Sequence, residues 1–262
     1  MSRITENFPG IIEQQRKGLI IYLTAGCPDY AATLAAVRAA EQAGADLIEI
    51  GMPFSDPMAD GPMIQKASTI ALQGGATTEK TRRLIEKIRQ ESSIPLVVMT
   101  YINTILHFGV EHFTQAFAAA GIDGIIVPDL PAEEAAILEQ PCRQADIDLI
   151  QFLAPTTTDE RVAAICRQAG GFIYCVSHTG VTGVQQVDYS QIAAVMAKAR
   201  RQTQVPLAIG FGIGDGKTAC QAAEYADGVI IGSAVMQQLM EQGVDAVRQF
   251  VASLRSALDE RQ

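Results

Sequence analysis

Eight short, almost wholly apolar runs recur along the chain at roughly 33-residue intervals, the length of one strand–helix unit. They read as strands at 19–23, 47–50, 96–101, 124–127, 149–153, 172–176, 207–209 and 228–231. A strand with one wet face alternates apolar and polar residues. These runs do not, so both faces must be covered, as in a parallel sheet wrapped by helices. Helical spacing fills the gaps: Tyr30, Leu34 and Val37; Val110, Phe113 and Phe117; and Val247, Phe250, Val251, Leu254 and Leu258. Thr157 with Glu160 reads as a capping box, and Gly44, Gly121 and Gly170 mark helix ends.

Three segments repeat one pattern of helix end, turn, strand and strand exit: AGADLIEIG (43–51), AGIDGIIVP (120–128) and YADGVIIGS (225–233). Repeated units favour a closed array over an open sheet. A 262-residue α/β chain of this kind predicts one (β/α)8 TIM barrel spanning residues 1–262 as a single domain. Extra length falls after strand two (51–77) and strand six (177–187), at the strand ends where barrels build their active sites.

Composition excludes several classes. The net charge is −9 with no long basic run, so phosphate backbones and anionic membranes repel the chain. No apolar stretch approaches a membrane span, and the N-terminus, MSRITENFPG, carries no apolar signal core. The five cysteines are odd in number and scattered, without a CxxC pair, which fits small buried residues in a reducing cytoplasm.

Glu49 is the one charged residue in its run and lies near the strand's C-terminal end. Pointing inward, it would be a poorly solvated carboxyl with a raised pKa, suited to acid–base work; pointing outward, it would only meet a buried cation. The stretch 51–62 that follows holds three prolines and two glycines, which fixes a shaped loop. A returning loop can bring Asp60 over the same mouth; the alternative for Asp56 and Asp60 is the common turn-forming or helix-capping aspartate. Gly210-Phe211-Gly212-Ile213-Gly214 and Gly232-Ser233 stand at the exits of strands seven and eight. There, backbone amides and a helix N-terminus form the usual barrel phosphate site. No lysine falls in a strand run, which disfavours a Schiff base, and His107, His112 and His178 all lie outside the strands. What remains is a barrel without metal or other cofactor that binds a phosphate ester and works with carboxylates.

The block LIEIGMPFSDPMADGPMIQ (47–65) strongly resembles the signature of the tryptophan synthase alpha chain family. The resemblance extends to LTAGCPD (23–29), TYIN (100–103), VPDLP (127–131), SHTGVTG (177–183), GFGI (210–213) and DGVIIGSA (227–234). It implies a lyase that splits indole-3-glycerol phosphate into indole and glyceraldehyde 3-phosphate. It also implies a pyridoxal-phosphate-containing beta subunit as partner in an alpha2-beta2 heterotetramer, docked around the Pro-rich stretch 52–58. By the same resemblance Glu49 is the acid/base, Asp60 faces the indole N–H and Tyr174 steadies Glu49. Tyr22, Met99, Ile126 and Phe211 line the indole pocket. Gly183, Gly212, Gly232 and Ser233 hold phosphate. Asp56 and Thr182 bond to each other when loops 51–61 and 177–187 close. Tyr22, Thr100 and His178 depart from the residues familiar at those positions. Two readings compete: a sugar-phosphate isomerase, which leaves the 52–62 loop unexplained, and a non-catalytic activator of a partner, which leaves Glu49 and Asp60 unexplained.

Overall fold

The computed structural model describes residues 2–176 and 189–260. Its strands are β1 (Gly18–Thr24), β2 (Leu47–Gly51), β3 (Leu96–Met99), β4 (Gly124–Ile126), β5 (Asp148–Leu153), β6 (Ile173–Val176), β7 (Leu207–Gly210) and β8 (Gly228–Ile231). All pair in parallel and close in sequential order, β8 bonding back to β1. The described helices are α1 (Arg3–Glu13), α2 (Tyr30–Gln42), α3 (Pro62–Gln73), α4 (Thr78–Arg89), α5 (Ile102–Phe108), α6 (Val110–Ala120), α7 (Ala136–Gln144), α8 (Asp159–Gln168), α9 (Ser190–Ala199), α10 (Gly216–Ala223), α11 (Ser233–Gln242) and α12 (Val244–Asp259). All eight expected strands form. β3 stops two residues short of its expected end because Tyr101 already caps α5. The cap of α8 is Thr158, one residue later than expected; the Thr157 hydroxyl instead accepts the Ala154 N–H. Gly170 follows the end of α8, but Gly171 takes the left-handed backbone there.

Alternation along each strand sorts side chains into two layers. Leu19, Ile21, Ile48, Ile50, Val98, Ile125, Ile209 and Val229 face the helices. Ile20, Leu47, Val97, Ile150, Ala208 and Ile230 fill the barrel. Helix α1, which has no counterpart in the strand–helix rhythm, closes the lower end. Its Ile4 and Phe8 join the interior cluster. Phe8 sits so close to β1 that a Cβ on Gly18 would lie 2.5 Å from its ring. The side chains of Ser2 and Thr5 hydrogen-bond Asp148.

The sequence repeat acquires a structural meaning at this lower face. Each of its aspartates, Asp46, Asp123 and Asp227, accepts the N–H of the first core residue of the preceding strand, Leu19, Leu96 or Leu207, at 2.8 Å. Each also pairs with arginine: Asp46 with Arg16 and Arg255, Asp123 with Arg3 and Arg89, Asp227 with Arg200. Strand pairs β1–β2, β3–β4 and β7–β8 are thereby fastened at their starts. No described helix is long and apolar enough to cross a membrane.

Candidate active site

A cavity of about 730 Å3, counted with its open mouth, occupies the upper end of the barrel. It is within the size range of small-molecule sites. Glu49 lines it and is 3% exposed. The inward direction follows from alternation: Leu47 and Glu49 point into the barrel, Ile48 and Ile50 out of it. One carboxyl oxygen, Oε2, is buried without a hydrogen-bond partner among the described residues. Burial pushes the Glu49 pKa up to about 8, and the nearby Asp60 charge adds to the rise.

Asp60 reaches the same cavity from the loop after β2 and is also buried. Burial raises its pKa to about 6, and a hydrogen bond from Tyr101 opposes the rise. Near pH 7 one carboxyl is therefore protonated and the other ionised, two roles set by environment. The loop is shaped by its prolines and fixed at few points. The Gln65 side-chain amide donates to the Asp60 carbonyl at 2.8 Å, and α3 opens immediately after it with Pro62 in its first turn.

Two tyrosines enter the barrel across glycines. A Cβ on Gly51 would lie 2.0 Å from the Tyr22 hydroxyl, and one on Gly210 would lie 2.3 Å from that of Tyr174. Gly210 thus makes room for an aromatic ring, where the sequence suggested a phosphate loop. Tyr22 pairs in register with Glu49 across β1 and β2, and its hydroxyl, which the departure from the family pattern left needing a partner, accepts from Thr24 at 3.2 Å. Burial raises the pKa of both tyrosines, keeping them neutral donors. Thr100 is not among the residues lining the cavity, and its buried hydroxyl finds no partner among the described residues.

At the exits of β7 and β8, Phe211, Gly212, Gly232 and Ser233 complete the wall. Phe211 and Gly212 adopt consecutive left-handed backbones, φ 81° and 76°, unusual for a bulky residue and a sign of a constrained turn. Ser233 opens the ten-residue α11 with Gly232 as its N-cap. The first turn of α11 and its positive helix end therefore border the cavity, a setting for an anion.

All ten described residues expected in the site line this one cavity: Glu49, Asp60, Tyr22, Met99, Ile126, Tyr174, Phe211, Gly212, Gly232 and Ser233. Thr182, Gly183 and His178 lie outside the described residues. Asp56 is exposed at the loop tip and accepts the Ser55 hydroxyl at 2.5 Å. The sequence reading missed Phe152, Pro128 and Ile230, although inward alternation from Ile150 pointed to Phe152. It also gave Tyr101 no role. No Lys, Arg or His is among the described cavity residues, and no described cluster of three His, Cys, Asp or Glu residues is placed to hold a metal.

The comparisons with known proteins agree with this geometry. The family model described as tryptophan synthase alpha chain matches residues 8–260. The tryptophan synthase alpha chain of Synechococcus elongatus is 45% identical over 260 residues, covering 99% of this chain and 98% of that relative. Among solved structures, tryptophan synthase of Mycobacterium tuberculosis superposes with a TM-score of 0.91 at 37% identity, covering 98% of both chains. The alpha subunit from Legionella pneumophila superposes with a TM-score of 0.92 at 32% identity, covering 99% of both. Nothing in these matches supports the isomerase alternative. By sequence, fold and site, the chain belongs to the tryptophan synthase alpha chain family.

Proposed function

We propose that this chain cleaves indole-3-glycerol phosphate through Glu49 and Asp60, with the substrate's phosphate held by the amides around Gly212, Gly232 and Ser233. The observation that carries the proposal is the buried Glu49 carboxyl projecting into the barrel throat, in one cavity with a helix N-terminus.

The chemistry follows from the two protonation states. Neutral Glu49 gives its proton to indole C3, and the ring becomes an indoleninium whose N–H faces the ionised Asp60. The Glu49 carboxylate then removes the proton of the C3′ hydroxyl. The C3–C3′ bond breaks, its electron pair returns to the ring as indole, and C3′ becomes the aldehyde of glyceraldehyde 3-phosphate. Glu49 ends protonated, as it began. Binding at the phosphate, remote from the breaking bond, orients the substrate. Tyr174, steadied between Phe152 (5.2 Å between ring centroids) and Phe211 (6.2 Å), is the neutral donor facing Glu49.

The reading includes association with a tryptophan synthase beta subunit at the mouth. The exposed Met58, 81% accessible within the Pro-rich stretch, is the apolar contact offered there. A cytoplasmic location belongs to the same reading and is supported by the five free thiols. The test is indole release from indole-3-glycerol phosphate, with and without the beta subunit. Replacing Glu49 with Gln should lower kcat by roughly 10²- to 10⁴-fold. An unchanged rate would remove Glu49 from the mechanism, and failure to co-sediment with the beta subunit would remove the partner.

A further inference from the structure

Tyr101 grips the catalytic loop at two points. It is 1% exposed, just beyond β3, and stacks on Phe54 with ring centroids 5.0 Å apart and planes at 22°. Its hydroxyl oxygen accepts the Ala59 N–H at 3.1 Å, which sets the phenol beside the next residue, Asp60, whose charged form it favours. The phenol thus holds the loop at the residue before Asp60 through its lone pair, and its proton remains for the neighbouring carboxylate.

We propose that Tyr101 is a positioning residue for this reaction, holding the Asp60 carboxylate ionised and aimed at the indole N–H. The inference rests on the lyase reading above. Asp60 needs such a donor because its other titratable neighbours do not favour a charge. Glu49 approaches from β2, Tyr22 from β1 and Tyr174 from β6, while the described cavity wall offers no cation. Among the described elements, the start of α3, directly after Asp60, adds a favourable field. Hydrogen bonding to the charged form lowers a carboxyl pKa, and this is the sense in which Tyr101 acts on Asp60. A phenol also suits the task better than a cation. Burial keeps it neutral, so it orients Asp60 without cancelling the negative charge that must face the indoleninium.

Tyr101→Phe preserves the ring stack and deletes only the hydroxyl. Indole release is measured from pH 5 to 9 in the full chain, with carbon-13 NMR titration of labelled aspartate alongside. The expected result is a roughly ten- to hundredfold fall in kcat with little change in KM, the scale of one hydrogen bond to a charged group. The acid limb of the profile and the Asp60 titration should both move upward by about one pH unit. In an Asp60→Asn background the same change should cost under about threefold, because the group being positioned is gone. An unmoved acid limb and Asp60 titration would overturn the proposal, as would an equal cost in both backgrounds, which describes a mere loop anchor. Wild-type protein that releases no indole would refute the lyase reading instead, and the NMR titration would still decide whether Tyr101 holds Asp60 ionised.

Discussion

Adding one methyl group at Gly51 tests the close approach on which the catalytic wall depends. In Gly51→Ala the new Cβ would lie 2.0 Å from the Tyr22 hydroxyl, 2.4 Å from Cζ and 2.5 Å from Cε2. Ordinary contact needs about 3.5–4 Å, so the ring tip must retreat by more than 1 Å. It has little room, since a Cβ on Gly232 would already be only 3.3 Å from the Tyr22 Cβ, and retreat strains the 3.2 Å bond from Thr24. Overpacking of this kind costs about 1–3 kcal/mol, which for a chain of this size lowers Tm by roughly 2–10 °C. Activity should suffer more than stability. The displaced ring enters the cavity beside Glu49, and a misplacement of about 1 Å at a reacting centre can cost 10²-fold in rate. Thermal unfolding and indole-release kinetics read the two effects separately. Combining Gly51→Ala with Tyr22→Leu removes the colliding atoms and should restore most of the lost Tm. Combining it with Tyr22→Phe should not, because Cζ and Cε2 remain. Simple additivity of the Gly51→Ala and Tyr22→Leu penalties, or rescue by Phe as good as by Leu, would refute the packing argument.

Other expectations follow from charges and clamps. The kcat profile should be a bell bounded near pH 6, where Asp60 loses its charge, and near pH 8, where Glu49 loses its proton; a flat profile across that window would contradict the assigned protonation states. Glu49 also links stability to pH. Its folded pKa lies above the ordinary 4.5, so its contribution is greatest below pH 4.5 and falls as pH rises to about 8. Urea midpoints should show a decline over this range that is shallower in Glu49→Gln. At the lower face, Asp123→Ala strands the largely buried Arg89 and the Leu96 N–H, and should cost about 3–5 kcal/mol by urea unfolding while leaving kcat near wild type. Ser233→Glu places a carboxylate at the start of α11 and should raise KM for the phosphate ester at least roughly tenfold, measured at constant ionic strength.

The sequence exposes the barrel because both-sided burial leaves an unmistakable mark: eight apolar runs whose positions match β1–β8 to within two residues. Glu49 stands out for the same reason, as the one charge in its run. Less could be read where the cause of a residue lies elsewhere in the chain. Gly210 looks like part of a phosphate loop until Tyr174 is seen crossing it, and Gly51 gives no hint of Tyr22. The role of Tyr101 depends on a loop that returns about forty residues earlier in sequence, a contact no local pattern encodes. Helix α1 escapes the strand–helix rhythm because it plugs the barrel and so has no strand of its own.

The repeated aspartates and the upper glycines answer opposite demands on the same strands. At the strand starts, Asp46, Asp123 and Asp227 each satisfy a backbone donor and an arginine at once. At the strand ends the chain keeps features that oppose folding: a buried Glu49 oxygen without a partner among the described residues, a left-handed Phe211, and glycines in place of packed side chains. Each of these is needed for the chemistry. A solvated Glu49 would lose the proton it must donate, and a filled Gly51 or Gly210 would exclude the tyrosines. Because the two ends share the eight strands but not their side chains, the clamps below can offset the strain above without touching the cavity. That separation requires a lower-face substitution to move Tm with kcat fixed, and Gly51→Ala to move both.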